Sequence, residues 1–342
     1  MKNFKIKNLP SLFLLLGLSF SLLLFSIYVS KITNEIDFLY LEAASSQIFV
    51  KKGGPITLIF VGDIMLDRGV EYMIKKEGKG DFKFPFLKIA DNLKGAKLLF
   101  SNLEGPISDK GKKVGSIYSF RHNPKAIEGL TFAGFNVLSL ANNHALDYTR
   151  KALEDCLTRL SNTGIGYVGV GFTENEAFSP FIKKIEGTKI GFLAYTNLGP
   201  ESWRATSENS GIAWLSEKDM EKIKEDIKAA KEKTDVLIVS LHAGEEYQKE
   251  PTQFQVEFSK MAIEAGADIV VGHHPHVVQP SEQYKQGYIF YSLGNFIFDQ
   301  SFSEETMKGL LLKVLIKNNK IKKVIPIGIK INQYFQPEIV NK

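Results

Sequence analysis

An α/β fold of parallel strands joined by helical crossovers, preceded by one membrane-spanning segment, is what this 342-residue chain predicts. Three observations carry that expectation. From Pro55 onward, short apolar runs alternate with helical patterns. Five of those runs end in a residue able to bind a metal ion. Ahead of them, a charge-free stretch follows a lysine-bearing N-terminus.

The N-terminal stretch comes first. Lys2, Lys5 and Lys7 precede Leu12–Val29, which carries no charge. That length suits a helix crossing a hydrocarbon core of about 30 Å. A cleaved signal peptide would have a shorter apolar region ending in a small-x-small site; here the stretch ends in Ser-Ile-Tyr-Val-Ser-Lys. Positive charge ahead of the helix predicts a cytoplasmic N-terminus at 1–10, an anchor at 11–30 and an extracytoplasmic remainder. Residues 31–54 read as a juxtamembrane linker, and 332–342 as a C-terminal tail.

Between them, 55–331 reads as one domain. Ile56–Val61, Lys97–Phe100, Asn136–Leu140, Asp235–Leu241 and Asp268–Val271 are buried-strand runs. Pro124–Ala133, Thr149–Asn162, Glu217–Lys233 and Thr252–Ala265 carry helical patterns, and the alternation implies parallel strands with crossovers. Ile182–Thr196 reads as a hairpin turning at Glu186-Gly187-Thr188. Tyr288–Ser292 and Gly309–Ile331 add strands, the latter turning at Asn318-Asn319.

Composition narrows the function classes. Hydrophobic residues at 44% and charged residues at 24% are a globular balance. The net charge of +5 is mild, and Lys317, Lys320, Lys322 and Lys323 form the only notable cluster. Without clustered arginine and aromatics it is a solvated hairpin turn and not a nucleic-acid surface. The single cysteine, Cys156, excludes an intrachain disulfide and a thiolate metal site, and reads as a buried thiol on a helix.

Ligands of open α/β sheets bind beyond the carboxyl ends of strands. At those ends stand Asp63, Glu104, the Asn142-Asn143-His144 run, His242, and His273-His274-Pro275-His276. Five of six histidines fall there; only His122 lies outside. Carboxylates, an amide and imidazoles suit Mn, Zn or Fe. One or two divalent ions are expected, a pair sitting ~3.5–4 Å apart across a shared carboxylate. A glycine-aspartate turn or a lone histidine would be unremarkable by itself. Three imidazoles in four residues are costly to bury unligated. Arg68 and Arg121 are candidates for holding an anionic substrate or are surface cations. Asn295 faces the site or only forms a turn, and Glu245 and Glu246 either orient His242 or are solvated.

At these residues the chain resembles the CapA family, also called PgsA, the poly-γ-glutamate capsule synthesis accessory proteins. The segments are GDIMLDR, SNLEGPIS, SLANNHALDYT, SLHAGEEY, VVGHHPHVVQP and FYSLGNFIFDQ, in family order over nearly all of 55–300. The family is related to the calcineurin-like metallophosphoesterases, which implies a four-layer α/β/β/α sandwich. The resemblance makes Asp63 the first aspartate ligand, Glu104 the bridging carboxylate and Asn143 a ligand of the second metal. It makes His144 the catalytic imidazole, with His242, His274 and His276 as further ligands. The chain departs from the superfamily at Met65, which stands in the place of a histidine, and at Glu104, in the place of an aspartate.

The resemblance implies an accessory protein of anionic polymer assembly, working outside the membrane beside integral synthase subunits and on the polymer itself. The alternative is hydrolysis of phosphoesters or γ-glutamyl amides by a metal-bridged hydroxide, with His144 as general acid. A non-catalytic site holding polymer or partner is the third reading.

Overall fold

The computed structural model describes residues 29–31, 54–114 and 116–340. The chain divides into two units, Met1–Gly54 and Pro55–Lys342. Apart from its last two residues the expected anchor at 11–30 lies outside the described residues, as do 1–10 and nearly all of 31–54. Among the described residues no helix is long and apolar enough to cross a membrane.

The second unit is mixed α/β. Its strands are β1 (Ile56–Ile64), β2 (Leu98–Leu103), β3 (Val137–Ser139), β4 (Gly166–Val168), β5 (Val170–Gly171), β6 (Phe181–Ile185), β7 (Thr188–Thr196) and β8 (Gly211–Ile212). There follow β9 (Val236–His242), β10 (Ile269–His273), β11 (Ser281–Tyr284), β12 (Gly287–Phe290), β13 (Asn295–Ile297), β14 (Lys308–Lys317), β15 (Lys320–Ile331) and β16 (Pro337–Ile339). The helices of eight or more residues are α1 (Arg68–Lys76), α2 (Ala126–Ala133), α3 (Thr149–Asn162), α4 (Met220–Glu232) and α5 (Gln253–Glu264).

One sheet runs β16-β15-β14-β1-β2-β3-β4, with β13 also paired to β1, a second runs β11-β12-β10-β9-β7-β6, and β5 pairs with β8 in a small third. Within the first two, the strands joined by helical crossovers pair in parallel: β1–β2–β3–β4 and β7–β9–β10. The hairpins supply the antiparallel partners. Their turns are as expected: Asn318 and Asn319 both take positive φ, 55° and 58°, which a two-residue hairpin turn requires and Asn tolerates. The stretch 332–340 is not a free tail. The Asn332 side-chain oxygen accepts the backbone N–H of Tyr334 and Gln336, and the turn so made returns the chain to pair β16 with β15.

Three apolar clusters set the layers. Between the sheets, Leu58, Phe60 and Phe100 meet Phe192, Ile238 and Val271. On the far side of the first sheet, Val61 and Leu99 pack with Ile74 of α1, Leu130 of α2 and Leu157 of α3. On the far side of the second, Leu237 and Val239 pack with Ile227 of α4 and Phe258 of α5. Strands buried on both faces explain the continuous apolar runs of β1 and β9. Cys156 is buried in α3, and burial pushes its thiol up to about 12.

Gly62 lets the strands close tightly at the site. A β-carbon there would stand 1.9 Å from the Gly294 carbonyl oxygen. The next residue, Asp63, donates its backbone N–H to that same oxygen at 3.0 Å. Gly62→Ala is expected to cost about 1–3 kcal/mol by overpacking. Thermal denaturation of the variant against wild type measures it, and an unchanged Tm would show that β1 and β13 separate freely.

Candidate metal centre

The carboxyl ends of β1, β2, β3, β9 and β10 converge, bringing the two sheets to one polar floor above the interlayer aromatics. The register explains the neighbours. Asp63 lies opposite Asn102 on β2 and opposite Asn295 on β13, and His273 lies opposite His242. Phe100 lies next to His273 with ring centroids 6.2 Å apart, and Asp63, His242 and His273 are fully buried.

Asp63 is fully buried and organises the cluster. Its Oδ1 accepts from the Asn102 amide at 2.9 Å and sits 2.9 Å from His273 Nδ1. Its Oδ2 accepts the His274 backbone N–H at 3.2 Å and lies 3.5 Å from His276 Nδ1. Burial alone would raise the Asp63 pKa, but the hydrogen bonds and charge of His273 and His276 outweigh it and hold the carboxyl well below its usual range.

Glu104 is the complement. It is fully buried, and neither carboxylate oxygen has a hydrogen-bond partner. Burial, with Asp63 adding to it, raises its pKa well above the ordinary value against the pull of His276. Its nearest cationic candidates are His144 Nε2 at 3.9 Å and His276 Nε2 at 4.0 Å.

The remaining donors close around it. His242 Nε2 is 2.7 Å from Asn143 Oδ1, and its ring centroid is 4.9 Å from that of His274. Burial drives the His242 pKa well below the usual, and burial with the His276 charge pushes His274 down to about 3. His276 moves the other way, to about 9, because Glu104 and Asp63 overcome burial. Both His274 (φ 95°) and His276 (φ 58°) hold left-handed backbone, a strained placement for side chains that converge on one point.

These residues fit a divalent cation. A buried carboxylate with two orphaned oxygens costs free energy unless a cation faces it. The Nδ1 of His274 is likewise buried without a partner. Asp63, Glu104 and His242 each place a donor atom within 4.8 Å of the others. The donor set is N and O without thiolate, which suits Mn, Zn or Fe.

His144 stands beside this group and differs from it. It is 8% exposed, its Nδ1 is 2.7 Å from Asp147 Oδ2, and Phe120 packs on its ring at 4.1 Å. Two clefts meet at it. One of about 470 Å³ is lined by Arg68, Phe120, Tyr247 and His276. The other, of about 450 Å³, is lined by Val114, Leu198, Trp203 and His274. Asn143 and His144 line both.

Asp63, Glu104, Asn143, His144, His242, His274 and His276 are thus brought together. Arg68 reaches the cleft edge, its guanidinium 4.7 Å over the Phe120 ring and paired with Asp299. Arg121 does not: it lies 4.3 Å over the Tyr148 ring, donates to the Lys110 carbonyl and lines neither cleft. Asn295 reaches the site at His276 and lines neither cleft. It is buried, its amide N–H groups go to Gln300 and the Thr306 carbonyl, and its oxygen is 3.0 Å from His276 Nδ1.

Sequence reasoning missed three supports. Asn102 bridges Asp63 and His242, at 2.9 and 3.3 Å. Asp147 holds His144. His122 is buried; its Nδ1 accepts the Leu66 N–H, so its Nε2 donates to the Glu104 carbonyl at 2.7 Å. The signal for Asp147 was its spacing, three residues after His144; for His122 there was none beyond its being the one histidine away from a strand end.

The chain is similar in sequence to one described family and to named relatives. The family described as "Bacterial capsule synthesis protein PGA_cap" matches residues 57–300. "Capsule biosynthesis protein CapA" of Bacillus anthracis is 33% identical, over 80% of this chain and 68% of that protein. "PGA biosynthesis protein CapA" of Bacillus subtilis strain 168 is 31% identical, over 84% and 75%. Among solved structures, a novel phosphatase from Mycoplasma pneumoniae is similar at 17% identity, with a TM-score of 0.49 over 81% of this chain and 94% of that one.

Proposed function

Because this chain belongs to the bacterial capsule synthesis protein family PGA_cap, we propose that it is a membrane-anchored accessory protein of poly-γ-glutamate, or related anionic surface-polymer, assembly. Its domain works outside the membrane, next to integral synthase subunits, and carries a metallophosphoesterase-like divalent-metal centre. The lysine-flanked apolar stretch at 12–29 supports the anchor. The names of the two Bacillus relatives support the pathway. One observation carries the metal centre: both oxygens of the buried Glu104 lack a partner while imidazoles surround them.

Asp63, Glu104, Asn143, His242, His274 and His276 would hold the ion or ions. Bound there, a divalent ion supplies Lewis-acid charge neutralisation and a nucleophilic water at neutral pH. The chain's own residues do the rest. Asn295 and Asp63 fix the ring of His276, Asn102 fixes that of His242, and Asp63 itself is fully buried. A second reading, hydrolysis of a phosphoester or γ-glutamyl amide, is favoured by His144. Asp147 orients its ring, and its Nε2 faces Glu104 at the junction of the two clefts. That placement suits delivery of a proton to a leaving group.

The test is genetic. Deleting the gene is expected to remove surface polymer. The full-length wild-type chain should restore it, and Asp63→Asn should not. Unchanged polymer in the deletion strain would overturn the accessory role, and full restoration by Asp63→Asn would overturn the part given to the metal centre.

A further inference from the structure

We infer that Glu246 is a further ligand of this centre, completing the side that His274 and His276 begin; the inference rests on the metal reading above. The starting point is a shortage. β1 delivers one ligand, Asp63, and the side chain two residues on is Met65, fully buried with its sulfur accepting the Asp67 N–H at 3.1 Å. A thioether is in any case a poor ligand for a hard divalent ion. His276 has one nitrogen to offer, because Asn295 occupies Nδ1, and the free Nε2 lies 4.0 Å from a Glu104 oxygen.

Glu246 offers a further donor on the other side of the two histidines of the β10 loop. One of its carboxylate oxygens and one ring nitrogen each of His274 and His276 lie mutually within 4.8 Å. The second observation is independent of that spacing: His274 is 7% exposed, and its Nδ1 is buried without any hydrogen-bond partner. A buried imidazole nitrogen without a partner, on a histidine whose ring lies within reach of that carboxylate, is explained by an ion held there. No lysine or arginine among the described residues pairs with Glu246 in its stead.

The backbone is built to hold Glu246 there. After β9 the chain turns at Gly244 (φ 112°), where a β-carbon would meet the Gln255 side chain at 2.4 Å, and again at Tyr247 (φ 66°). Tyr247 donates its N–H to the Pro275 carbonyl at 2.8 Å and sets its ring 6.2 Å from that of His276. The loop carrying Glu246 is therefore fastened to the loop carrying both histidines. Glu246 is exposed and lines the cleft that holds Arg68, which puts its carboxylate on the substrate side of the centre. A third carboxylate also increases the negative charge facing a cation, which strengthens binding of a hard divalent ion.

The test uses the full-length protein, stripped of metal and titrated with Mn²⁺, with bound ion measured by electron paramagnetic resonance and elemental analysis. Glu246→Gln is expected to bind roughly tenfold more weakly or to hold one ion fewer. Glu246→Asp should recover part of the loss, and Glu245→Gln should match wild type. Because Glu246 is exposed, these variants keep the core intact. Wild-type binding in Glu246→Gln would overturn this inference and leave the metal centre standing. So would wild-type binding accompanied by loss of turnover, since the carboxylate would then act on substrate. Absence of Mn²⁺ from the wild-type protein would overturn the metal reading itself.

Discussion

On the hydrolytic reading proposed above, His144→Ala is expected to lower turnover by roughly 10²–10⁴-fold while leaving bound metal at the wild-type level. The separation of the two effects follows from where the ring sits. The donors that face the orphaned Glu104 oxygens and His274 are buried and hold one another, whereas His144 is tied outward, through Nδ1, to Asp147. That bond fixes the tautomer: with Nδ1–H given to the carboxylate, Nε2 is the atom presented to the junction of the clefts. Asp147 also accepts the Phe120 N–H at 2.8 Å, so the aspartate is held independently of the histidine and the pair cannot drift. Asp147→Asn should therefore lose less than His144→Ala, because Phe120 still confines the ring from its face. The measurement is turnover of a generic phosphodiester by Mn-loaded protein, with metal content determined on the same sample. Full turnover in His144→Ala would remove the histidine from the chemistry. Loss of metal in step with turnover would make it a ligand.

What was legible beforehand were the ends of strands. β1, β9 and β10 are continuous apolar runs that stop at Asp63, His242 and His273, and a run that stops at a metal-capable side chain is visible without any structure. The hairpin turns were legible for a similarly local reason, since Asn318-Asn319 is itself the turn. Pairing between distant strands was not. β14 lies beside β1 only because the chain returns after some 250 residues, and nothing in Lys308–Lys317 names its partner. Asn295 was legible as a candidate after a strand, but its partner was not: the parallel register of β13 with β1 places it opposite Asp63 and against His276, 19 residues away. His122 was out of reach because its whole function is to meet backbone from Leu66 and Glu104, 56 and 18 residues away. β16 is three residues long and without alternation, so no pattern distinguishes it from a tail.

Removing the metal should destabilise the protein, and the deficit should grow as pH rises from about 6.5 to about 9. The sign comes from the buried groups of the centre. His276, against its burial, is raised to about 9 by Glu104 and Asp63, from an ordinary 6.5. A group whose folded pKa is raised contributes stability that is complete below its unfolded value and is lost as pH climbs through the folded one. Glu104, raised by burial, acts in the same direction. His274, lowered to about 3, and His242, lowered by burial, act oppositely. Their contribution is present above about 6.5 and is lost as pH falls toward the folded values, which gives the stripped protein an acid limb as well. A divalent ion takes Glu104 and His276 in their deprotonated forms and displaces their protons, so the alkaline limb belongs to the metal-free protein alone. Over that window the difference is on the order of a few kcal/mol, since a pKa unit corresponds to about 1.4 kcal/mol. Thermal denaturation from pH 6 to pH 9, with and without chelator, reads it directly, and readdition of Mn²⁺ should restore the Tm. A gap between loaded and stripped protein that stays constant across the range would mean that the protons on Glu104 and His276 are not the ones the ion displaces.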